Sequence, residues 1–306
     1  MAKLLRNNLS QIPQKTALTI GNFDGLHLGH QAILKQLRVV AKQQGLASAV
    51  ILFEPQPSEV FQPQQCPARL TRFTEKLAQL NTQVDYVVCL KFNDRLANCS
   101  PEDFVQTILV EHLQGKVILA GMDFRFGHKR QGDLVLLEQL GTVYDFQIQI
   151  VEETLFNGQR VSSTLVRQAL AEGDFPMATQ LLGRHYRLQG RVVRGDQRGR
   201  LLGFPTANIS LQRLHSPLAG VYAVKIFIRG QKPRLGIANV GNRPTVDGTL
   251  TLLEVHVLDY DGDLYGQRIE VEFHQQLRKE KRFADLQQLQ QQIKHDEIAA
   301  RAFFNS

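Results

Sequence analysis

The sequence contains few cysteines. There are three in 306 residues, Cys66, Cys89 and Cys99, and no two of them form a Cys-x-x-Cys pair. Scattered cysteines in small number are typical of proteins from reducing compartments, and they argue against a structural metal. The sequence therefore predicts a cytoplasmic protein.

Long apolar runs are also missing. The longest, such as residues 49–53, have the length of a β-strand, whereas a membrane-spanning helix needs about 20 apolar residues. Lys3 and Arg6 near the N-terminus are not followed by an apolar stretch, so no secretory signal is expected. We therefore expect neither insertion into a membrane nor secretion.

Basic residues are in excess but do not form a block. The formal net charge is +7, which suits polyanionic ligands such as nucleic acids, nucleotides or pyrophosphate. The densest cluster consists of Arg278, Lys279, Lys281 and Arg282, and Glu280 interrupts it. This spread favours nucleotides over nucleic acid, and no nucleic-acid partner is expected.

The first half of the chain alternates short apolar runs with helical spacings. A chain of 306 residues exceeds what one core usually serves, so two domains are expected. The alternation predicts an α/β domain over residues 1–183 with a doubly wound parallel sheet. Strands are expected at residues 17–20, 47–53, 86–90, 117–120 and 146–151, and helices at 31–44, 73–80, 101–113 and 134–140.

The second half, residues 184–306, shows strand patterns without intervening helices. Strands are expected at residues 186–193, 220–228, 234–239, 249–258 and 268–273. Five or six such strands predict a small antiparallel β-barrel. A closing helix is indicated by an apolar stripe at Leu286, Leu289, Ile293, Ala300 and Phe303. Residues 163–182 are expected to be helical and to pack on the first domain.

A glycine- and histidine-rich string joins the first predicted strand to the first helix. Residues 21–30 read Gly-Asn-Phe-Asp-Gly-Leu-His-Leu-Gly-His. Backbone N–H groups and the helix dipole attract phosphate at such a place, and Gly21 and Gly25 allow a sharp turn. His27 and His30 can share a face and donate hydrogen bonds to phosphate oxygens. Alternatively, both histidines are ordinary surface residues near a turn.

A glycine-rich segment also precedes the string Phe204-Pro205-Thr206-Ala207-Asn208. It is not a Walker loop because no Gly-Lys-Ser/Thr follows, yet its amides can cradle phosphates. In an extended segment the oxygens of Thr206 and Asn208 point the same way, as a hard Mg²⁺ ion requires. The alternative, a simple turn, does not account for the glycines ahead of it.

Glu254 is a lone carboxylate in the apolar run 252–257. A phosphoryl transfer to a hydroxyl needs a base, and a carboxylate held in a strand can serve as one. The alternative is an edge-strand glutamate that faces solvent.

Together these motifs resemble one family. The string 21–30 resembles the His-x-Gly-His loop of nucleotidylyltransferases, and residues 203–208 resemble the Mg-nucleotide corner of riboflavin kinases. The bacterial bifunctional riboflavin kinase/FAD synthetases carry both in this order, and the resemblance covers residues 17–283. It implies that riboflavin and ATP give FMN, and that FMN and ATP then give FAD, with Mg²⁺ in both steps.

The resemblance implies the residues of the first site. Residues 161–167 resemble an Ile-Ser-Ser-Thr-x-x-Arg segment, with Val161 for isoleucine, and residues 121–127 resemble the Gly-x-Asp-Phe-Arg-Phe-Gly string of FMN adenylyltransferases. His27 and His30 would be catalytic. ATP would bind Gly21, Asn22, Phe23, Asp24, Gly25, Gly29, Ser162, Ser163, Thr164 and Arg167, and the flavin would bind Phe53, Pro55, Asp123, Phe124, Arg125 and Phe126. Taken alone, the hydroxyls could be a helix cap and Phe124 and Phe126 core residues.

The resemblance likewise implies the second site. Glu254 would be the general base for the ribityl 5′-hydroxyl, and Thr206 and Asn208 would hold Mg²⁺. ATP would bind Gly195, Gly199, Arg200, Gly203, Pro205, Thr206 and Asn208. Arg278 and Glu280, in a segment expected to open the last helix, would flank the flavin, although a solvated basic face is an equal alternative.

Two other functions stay open. A nucleotidylyltransferase for another phosphate ester, such as phosphopantetheine or nicotinamide mononucleotide, would have a passive barrel and no need for Thr206, Asn208 and Glu254. A basic nucleic-acid-binding protein would need aromatics interleaved with Lys and Arg, which the barrel half lacks. The sequence predicts no oligomeric state.

Overall fold

The computed structural model describes residues 1–6, 12–195, 203–211, 213, 215–245 and 248–305. The chain forms two compact units. The first, called the sheet unit, contains Met1–Pro67 and Phe73–Ser162. The second, called the barrel unit, contains Ala68–Arg72 and Ser163–Ser306.

The sheet unit is built on six parallel strands. They are β1 (Lys3–Arg6), β2 (Thr16–Ile20), β3 (Ala47–Glu54), β4 (Tyr86–Lys91), β5 (Gly115–Gly121) and β6 (Gln147–Val151), in the order β1-β4-β3-β2-β5-β6. A short hairpin, β7 (Leu155–Phe156) with β8 (Gln159–Arg160), follows. The doubly wound parallel sheet is confirmed, whereas β1 was not anticipated.

Helices cover both faces of this sheet. They are α1 (Leu28–Gln43), α2 (Pro57–Phe61), α3 (Phe73–Leu80), α4 (Asp94–Ala97), α5 (Pro101–Asp103), which runs on as a π-helix over Phe104–His112, and α6 (Leu134–Tyr144). Successive residues of β3 enter opposite cores, Ala49 and Ile51 on one side and Val50 and Leu52 on the other. Burial on both faces explains why this strand is apolar throughout.

The strand order reverses at β2. Its sequence neighbour β3 lies on one side of it, and β5 lies on the other. In open α/β sheets, ligands bind outside the carboxyl ends of the strands at such a switch point. The residues that lead out of β2, β3 and β5 therefore share the edge where a site is expected.

The barrel unit contains a closed six-stranded antiparallel barrel. Its strands are β9 (Tyr186–Val193), β10 (Ala207–Ser210), β11 (Gly220–Ile228), β12 (Arg234–Thr245), β13 (Gly248–Val257) and β14 (Arg268–Arg278), in the order β10-β13-β12-β11-β14-β9. The final helix α9 (Leu286–Asn305) packs Ala300 near Ala223 and Ile237. The barrel and its closing helix are confirmed, and β10 is the strand that the sequence did not suggest.

Two helices precede the barrel, α7 (Ser163–Glu172) and α8 (Phe175–Leu182). They break at Gly173, whose φ of 78° lies in the left-handed region. Phe175 packs against Tyr222 and Phe273 of the barrel, with ring centroids 5.6 and 6.5 Å apart. This differs from the expectation that residues 163–182 pack on the first domain. The boundary near residue 183 stays a prediction.

Residues 68–72 form a short segment, called the strap, that belongs to the barrel unit. Buried side chains of that unit hold its main-chain carbonyls. The Tyr186 hydroxyl donates to the Leu70 carbonyl at 3.0 Å, and Arg213 Nη1 donates to the carbonyls of Arg69 at 2.9 Å and Leu70 at 3.2 Å. A guanidinium as buried as Arg213, 7% exposed, needs such acceptors.

Arg278 was expected to open the last helix, and this was wrong. It is the final residue of β14, and α9 begins at Leu286.

Within the described residues, no helix is long and apolar enough to cross a membrane.

Candidate active sites

The loop after β2 folds into an unusual backbone conformation. Phe23, Gly25 and Leu26 have φ values of 46°, 80° and 42°, and Asp24–Leu26 form a 3₁₀ turn. A non-glycine residue at positive φ is uncommon, and such strain concentrates at functional sites. His27 then caps the N-terminus of α1. The loop thus brings a helix N-terminus to the switch point of the sheet.

The two histidines of this loop stack on each other. The rings of His27 and His30 are 3.7 Å apart between centroids, and Phe23 lies 4.8 Å from His30. The His30 backbone N–H points at His27 Nδ1, 3.4 Å away. Burial, and then the nearby His27, Lys76 and Arg160, hold the pKa of His30 well below its usual value of 6.5. His30 is therefore a neutral imidazole at pH 7, with a single N–H to donate.

Two cations near His30 were not anticipated from the sequence. Lys76 on α3 is 1% exposed, and its ammonium donates to the carbonyl of Asn22. Arg160 on β8 donates to both oxygens of Asp123, at 2.9 and 3.1 Å, and contacts Glu153 at 3.2 Å. A lysine in a polar helix and an arginine in a turn carry no signal that would distinguish them from surface residues.

Asp123 was predicted to bind the flavin. The hydrogen bond from Arg160 holds the pKa of Asp123 below its usual value, so this carboxylate is ionised. Both of its oxygens face the Arg160 guanidinium. The pair lies at the surface, with 66% of the Asp123 side chain exposed.

The serine segment begins beside α1. A Cβ on Gly29 would lie 3.3 Å from the Val161 carbonyl oxygen and 3.2 Å from the His27 ring. Residue 29 therefore has to be small. Ser162 directly follows Val161, whose carbonyl lies against Gly29. Ser163, Thr164 and Arg167 lie in the first turns of α7 in the barrel unit, where Arg167 Nε donates to the Ala68 carbonyl at 2.6 Å.

The predicted flavin aromatics separate into two classes. Phe126 is 7% exposed, lies in the core, and stacks on Phe124 at 5.5 Å. Phe124 and Phe53 are only partly buried and pack on the edge of the same core. Pro55 and Arg125 are exposed. The partly buried rings are thus better placed to meet a ligand than Phe126.

Two further aromatic rings continue from Phe53. Phe92, directly after β4, meets Phe53 edge-on at 5.9 Å, and Phe61 meets Phe92 at 5.5 Å. Phe61 is 63% exposed. A surface aromatic beside the ligand edge of the sheet widens the apolar face that a flat ring could use.

In the barrel, the predicted base and the predicted metal ligand are direct neighbours. Glu254 on β13 pairs with Asn208 on β10 and, on its other side, with Asn239 on β12. Residues opposite each other on paired strands have Cβ atoms about 4.5–5.5 Å apart and share a face. Leu253 and Val255 are buried, so Glu254 points away from the barrel interior.

The backbone at Gly195, in the glycine-rich segment before Phe204, lies against Asn208. A Cβ on Gly195 would meet the Asn208 side-chain amide, so a larger residue there would displace that amide. Buried Ala207 separates half-buried Thr206 from half-buried Asn208, which places both on one face as expected. Gly203 has a φ of 83° and Pro205 is exposed. Gly199 and Arg200 lie outside the described residues.

His256 is a neighbour of the site that the sequence did not suggest. It follows Glu254 by two residues and so shares its face of β13. Its Nδ1 lies 2.9 Å from the Pro205 carbonyl oxygen, and its ring meets Phe204 edge-on at 5.5 Å. His256 thus ties the turn before β10 to the strand of Glu254.

The two predicted flavin residues of the barrel have different surroundings. Arg278 donates to both oxygens of buried Asp296 on α9, at 2.9–3.0 Å. Glu280 is exposed, and its carboxylate would clash with a Cβ on Gly241 of β12. Gly241 is two residues, about 7 Å, along β12 from Asn239. Glu280 is therefore close to the Glu254 region, while Arg278 anchors the last helix.

Comparisons with known proteins match the two halves of the chain to two different families. A family model for FAD synthetase matches residues 9–165, and one for riboflavin kinase matches residues 182–304. A bifunctional riboflavin kinase/FMN adenylyltransferase of Escherichia coli (strain K12) is 49% identical over 306 residues, covering 99% of this chain and 98% of the relative. The Haemophilus influenzae protein of the same description is 44% identical, with 98% of each chain covered.

A solved structure is also similar over nearly the whole chain. It is described as a macrolide-efflux protein from Streptococcus pneumoniae, with a TM-score of 0.82 and 29% sequence identity. The match covers 97% of this chain and 98% of that one. The likeness therefore includes both the parallel sheet and the barrel.

Proposed function

Because the chain belongs to the family of bifunctional riboflavin kinase/FMN adenylyltransferases, we propose that its adenylyltransferase site lies at the carboxyl edge of the parallel sheet and its kinase site on the barrel, between β10 and β13. The enzyme phosphorylates riboflavin with ATP to give FMN, and it adenylylates FMN with ATP to give FAD and pyrophosphate. The proposed division falls near residue 183.

For adenylyl transfer, an FMN phosphate oxygen attacks the α-phosphorus of ATP while the bond to pyrophosphate breaks. Negative charge grows on the leaving group, and preorganised donors stabilise it. The loop amides and the N-terminus of α1 supply such donors, together with the N–H groups of His27 and His30. His30 acts here as a neutral donor, and the nearby cations are Lys76 and Arg160.

For the kinase step, the carboxylate of Glu254 accepts the proton of the ribityl 5′-hydroxyl. The resulting oxygen attacks the γ-phosphorus of ATP, and the bond between γ-phosphorus and ADP breaks. The observation that carries this assignment is the direct cross-strand pairing of Glu254 with Asn208. It supports the proposal because Glu254 lies beside Asn208, one of the residues proposed to hold Mg²⁺ and the phosphates.

The residues of the barrel site suit Mg²⁺. The Thr206 hydroxyl and the Asn208 amide oxygen are hard oxygen donors on one face, and the backbone at Gly195 passes against the Asn208 amide. Bound there, Mg²⁺ would neutralise charge on the ATP phosphates. Asp123, the acidic residue predicted in the first site, is already paired with Arg160.

The flavin positions follow from exposure. In the sheet unit the isoalloxazine ring is proposed to lie against Phe53 and Phe124, whose rings are partly buried at the ligand edge. In the barrel the flavin is proposed to lie near Glu280, while Arg278 holds α9 through Asp296. The two sites thus bind the same ring system with different means.

The proposed setting is the cytoplasm, with small molecules as partners. All three cysteines are free thiols, which suits a reducing compartment. The proposed ligands are riboflavin, FMN, ATP and Mg²⁺, without nucleic-acid or membrane partners.

Incubation of the protein with riboflavin, ATP and Mg²⁺, followed by chromatographic separation of the flavins, tests both sites together. FMN followed by FAD is expected. A parallel incubation with FMN in place of riboflavin isolates the second reaction. Formation of FMN without any FAD in either incubation would contradict the site proposed in the sheet unit.

A further inference from the structure

Three side chains with metal-binding groups meet on the outside of the barrel. They belong to His185, Glu272 and His274, and their ligand atoms all lie within 4.8 Å of one another. Glu272 and His274 are two residues apart on β14, so they share a face. His185 directly precedes β9, which pairs with β14 as far as Tyr186 and Phe273. The strand register thus brings the three together from two elements.

Neighbouring groups orient each potential ligand. Arg187 donates to Glu272 Oε2 at 2.5–2.7 Å, while Glu272 Oε1 faces His274 Nε2 at 2.8 Å. The Thr179 hydroxyl lies 3.2 Å from His185 Nδ1. In metal sites, partners of this kind fix the second carboxylate oxygen and the second ring nitrogen of the ligands. The arrangement therefore has an outer shell as well as three donors.

We propose that His185, Glu272 and His274 form a binding site for a divalent transition metal ion such as Zn²⁺. Imidazole suits Zn²⁺, Ni²⁺ and Cu²⁺, whereas Mg²⁺ prefers oxygen ligands. Metal bonds of about 2.1 Å place ligand atoms roughly 3–3.5 Å apart. Glu272 Oε1 and His274 Nε2, which are 2.8 Å apart, therefore have to separate slightly, and any ligand atoms near the 4.8 Å limit of the cluster have to approach by about 1 Å. The small number of cysteines does not argue against this site, because its ligands are two imidazoles and a carboxylate.

The site is separate from the kinase chemistry. It lies just before β9 and on β14, whereas Asn208 and Glu254 lie on β10 and β13. β9 pairs with Asn208 only at Val193, the end of the strand that is remote from His185. His185 is exposed, which leaves a coordination position open to solvent. A bound ion would join the segment before β9 to β14, beside Phe304 of α9, whose ring lies 5.2 Å from that of His274. The ion therefore acts as a clamp on the barrel.

Titration of the full-length, chelator-treated protein with Zn²⁺ against a chromophoric chelator, without nucleotide, tests the proposal. The His185→Ala variant should lose one binding equivalent that the parent has. The matched control, His295→Ala, removes an exposed imidazole of α9 and should keep it. Thr179→Val, which removes only the orienting hydroxyl, should weaken binding by about 10-fold.

Thermal unfolding provides a second readout. Zn²⁺ that binds the folded state raises the midpoint of the transition, and this shift should be absent in His185→Ala. FMN formation by that variant should equal that of the parent, which shows that the barrel is intact. Equal Zn²⁺ stoichiometry, affinity and thermal shift in the parent and in His185→Ala would overturn the proposal, and the cluster would then be a hydrogen-bonded network centred on Arg187.

Discussion

Glu254 is a half-buried carboxylate on the outer face of β13. Its neighbours Leu253 and Val255 point into the barrel, and its cross-strand partners are Asn208 and Asn239. Glu254, Asn208 and Asn239 thus form a polar patch across three strands. The chemistry proposed for it depends on the ability of a carboxylate to accept a proton.

Glu254→Gln tests that ability. The amide keeps the shape and can hold the ribityl hydroxyl, but it cannot take its proton. FMN formation should fall by on the order of 10²-fold or more, while flavin binding, followed by fluorescence quenching, should persist. FAD formation from added FMN should stay normal. Glu270→Gln on β14 is the matched control, and an unchanged rate of FMN formation in Glu254→Gln would show that the base lies elsewhere.

Replacement of the histidine pair should affect FAD formation instead of FMN formation. Replacement of both His27 and His30 by alanine should abolish FAD formation and leave FMN formation near normal. Loss of a preorganised donor at a developing charge typically costs about 3 kcal/mol. The same chromatographic assay measures both products, and His295→Ala serves as the control. Undiminished FAD synthesis by the double variant would refute the role of the pair.

His30 should titrate far below an ordinary histidine. Burial, followed by His27, Lys76 and Arg160, lowers its pKa, so the folded protein holds it neutral while the unfolded chain binds a proton below about pH 6.5. The unfolded state then binds more protons, and stability falls as pH decreases from about 6.5 toward the lowered pKa. NMR titration, with the resonance assigned from a His30→Gln spectrum, should show a neutral ring at pH 6. A midpoint at or above 6.5 would contradict this.

At the scale of elements, the loop between β2 and α1 combines strain with a buried support. Phe23, Gly25 and Leu26 adopt positive φ values, and conformations of this kind persist only where the surroundings determine them. The ammonium of buried Lys76 donates a hydrogen bond to the Asn22 carbonyl. We infer that this contact holds the loop in place, so Lys76 is a positioning residue.

Lys76→Met keeps the length of the side chain but removes its charge and donors. A hydrogen bond from a charged group contributes about 1.5–3 kcal/mol, so FAD formation should fall by roughly 10- to 100-fold if the loop shifts. FMN formation on the same chain is an internal measure of folded enzyme and should be unchanged. Lys42→Met, at an exposed position of α1, is the control. Equal FAD formation by Lys76→Met and the parent would mean that the loop holds itself.

The strands and helices of the core were predictable because their signal is local. Short continuous apolar runs identified β3 and β4, and apolar residues at a spacing of 3.6 identified α1 and α9. β10 was missed as a strand because its four residues are too few to show an alternating pattern, although residues 206–208 were expected to be extended. Lys76 and Arg160 were missed for another reason, since their importance depends on which groups the fold brings beside them. The roles of the motif residues stay predictions that rest on the family resemblance.

At the scale of the whole molecule, the two compact units do not have the boundary that the hydrophobic pattern of the sequence predicts. The contents of the barrel unit include α7, α8 and the strap in addition to the barrel. The sequence offered no signal for this because α8 is as apolar as a helix that packs on either domain. The aromatic contacts of Phe175 with Tyr222 and Phe273 show where it packs.

Two fragments should therefore differ in stability. Residues 184–306 contain the barrel strands, whereas residues 163–306 also contain α8. Truncation of a buried phenylalanine typically costs about 3–5 kcal/mol, and Phe175 is 2% exposed. Both fragments should phosphorylate riboflavin, but the shorter one should unfold about 10 °C lower or more. Circular dichroism measures this, with Phe175→Ala in the longer fragment as control, and equal midpoints would contradict the packing argument.

The strap also constrains the order in which the chain can fold. Leu70 and Tyr186, whose hydrogen bond holds the strap, are 116 residues apart in sequence. At a synthesis rate of 5–20 residues per second, Tyr186 leaves the ribosome roughly 6–23 s after Leu70. N-terminal domains generally fold first during synthesis, so the sheet unit can form while residues 68–72 stay unengaged. The strap, which is translated early, thus reaches its native contacts only after Tyr186 and Arg213 of the barrel unit have been made.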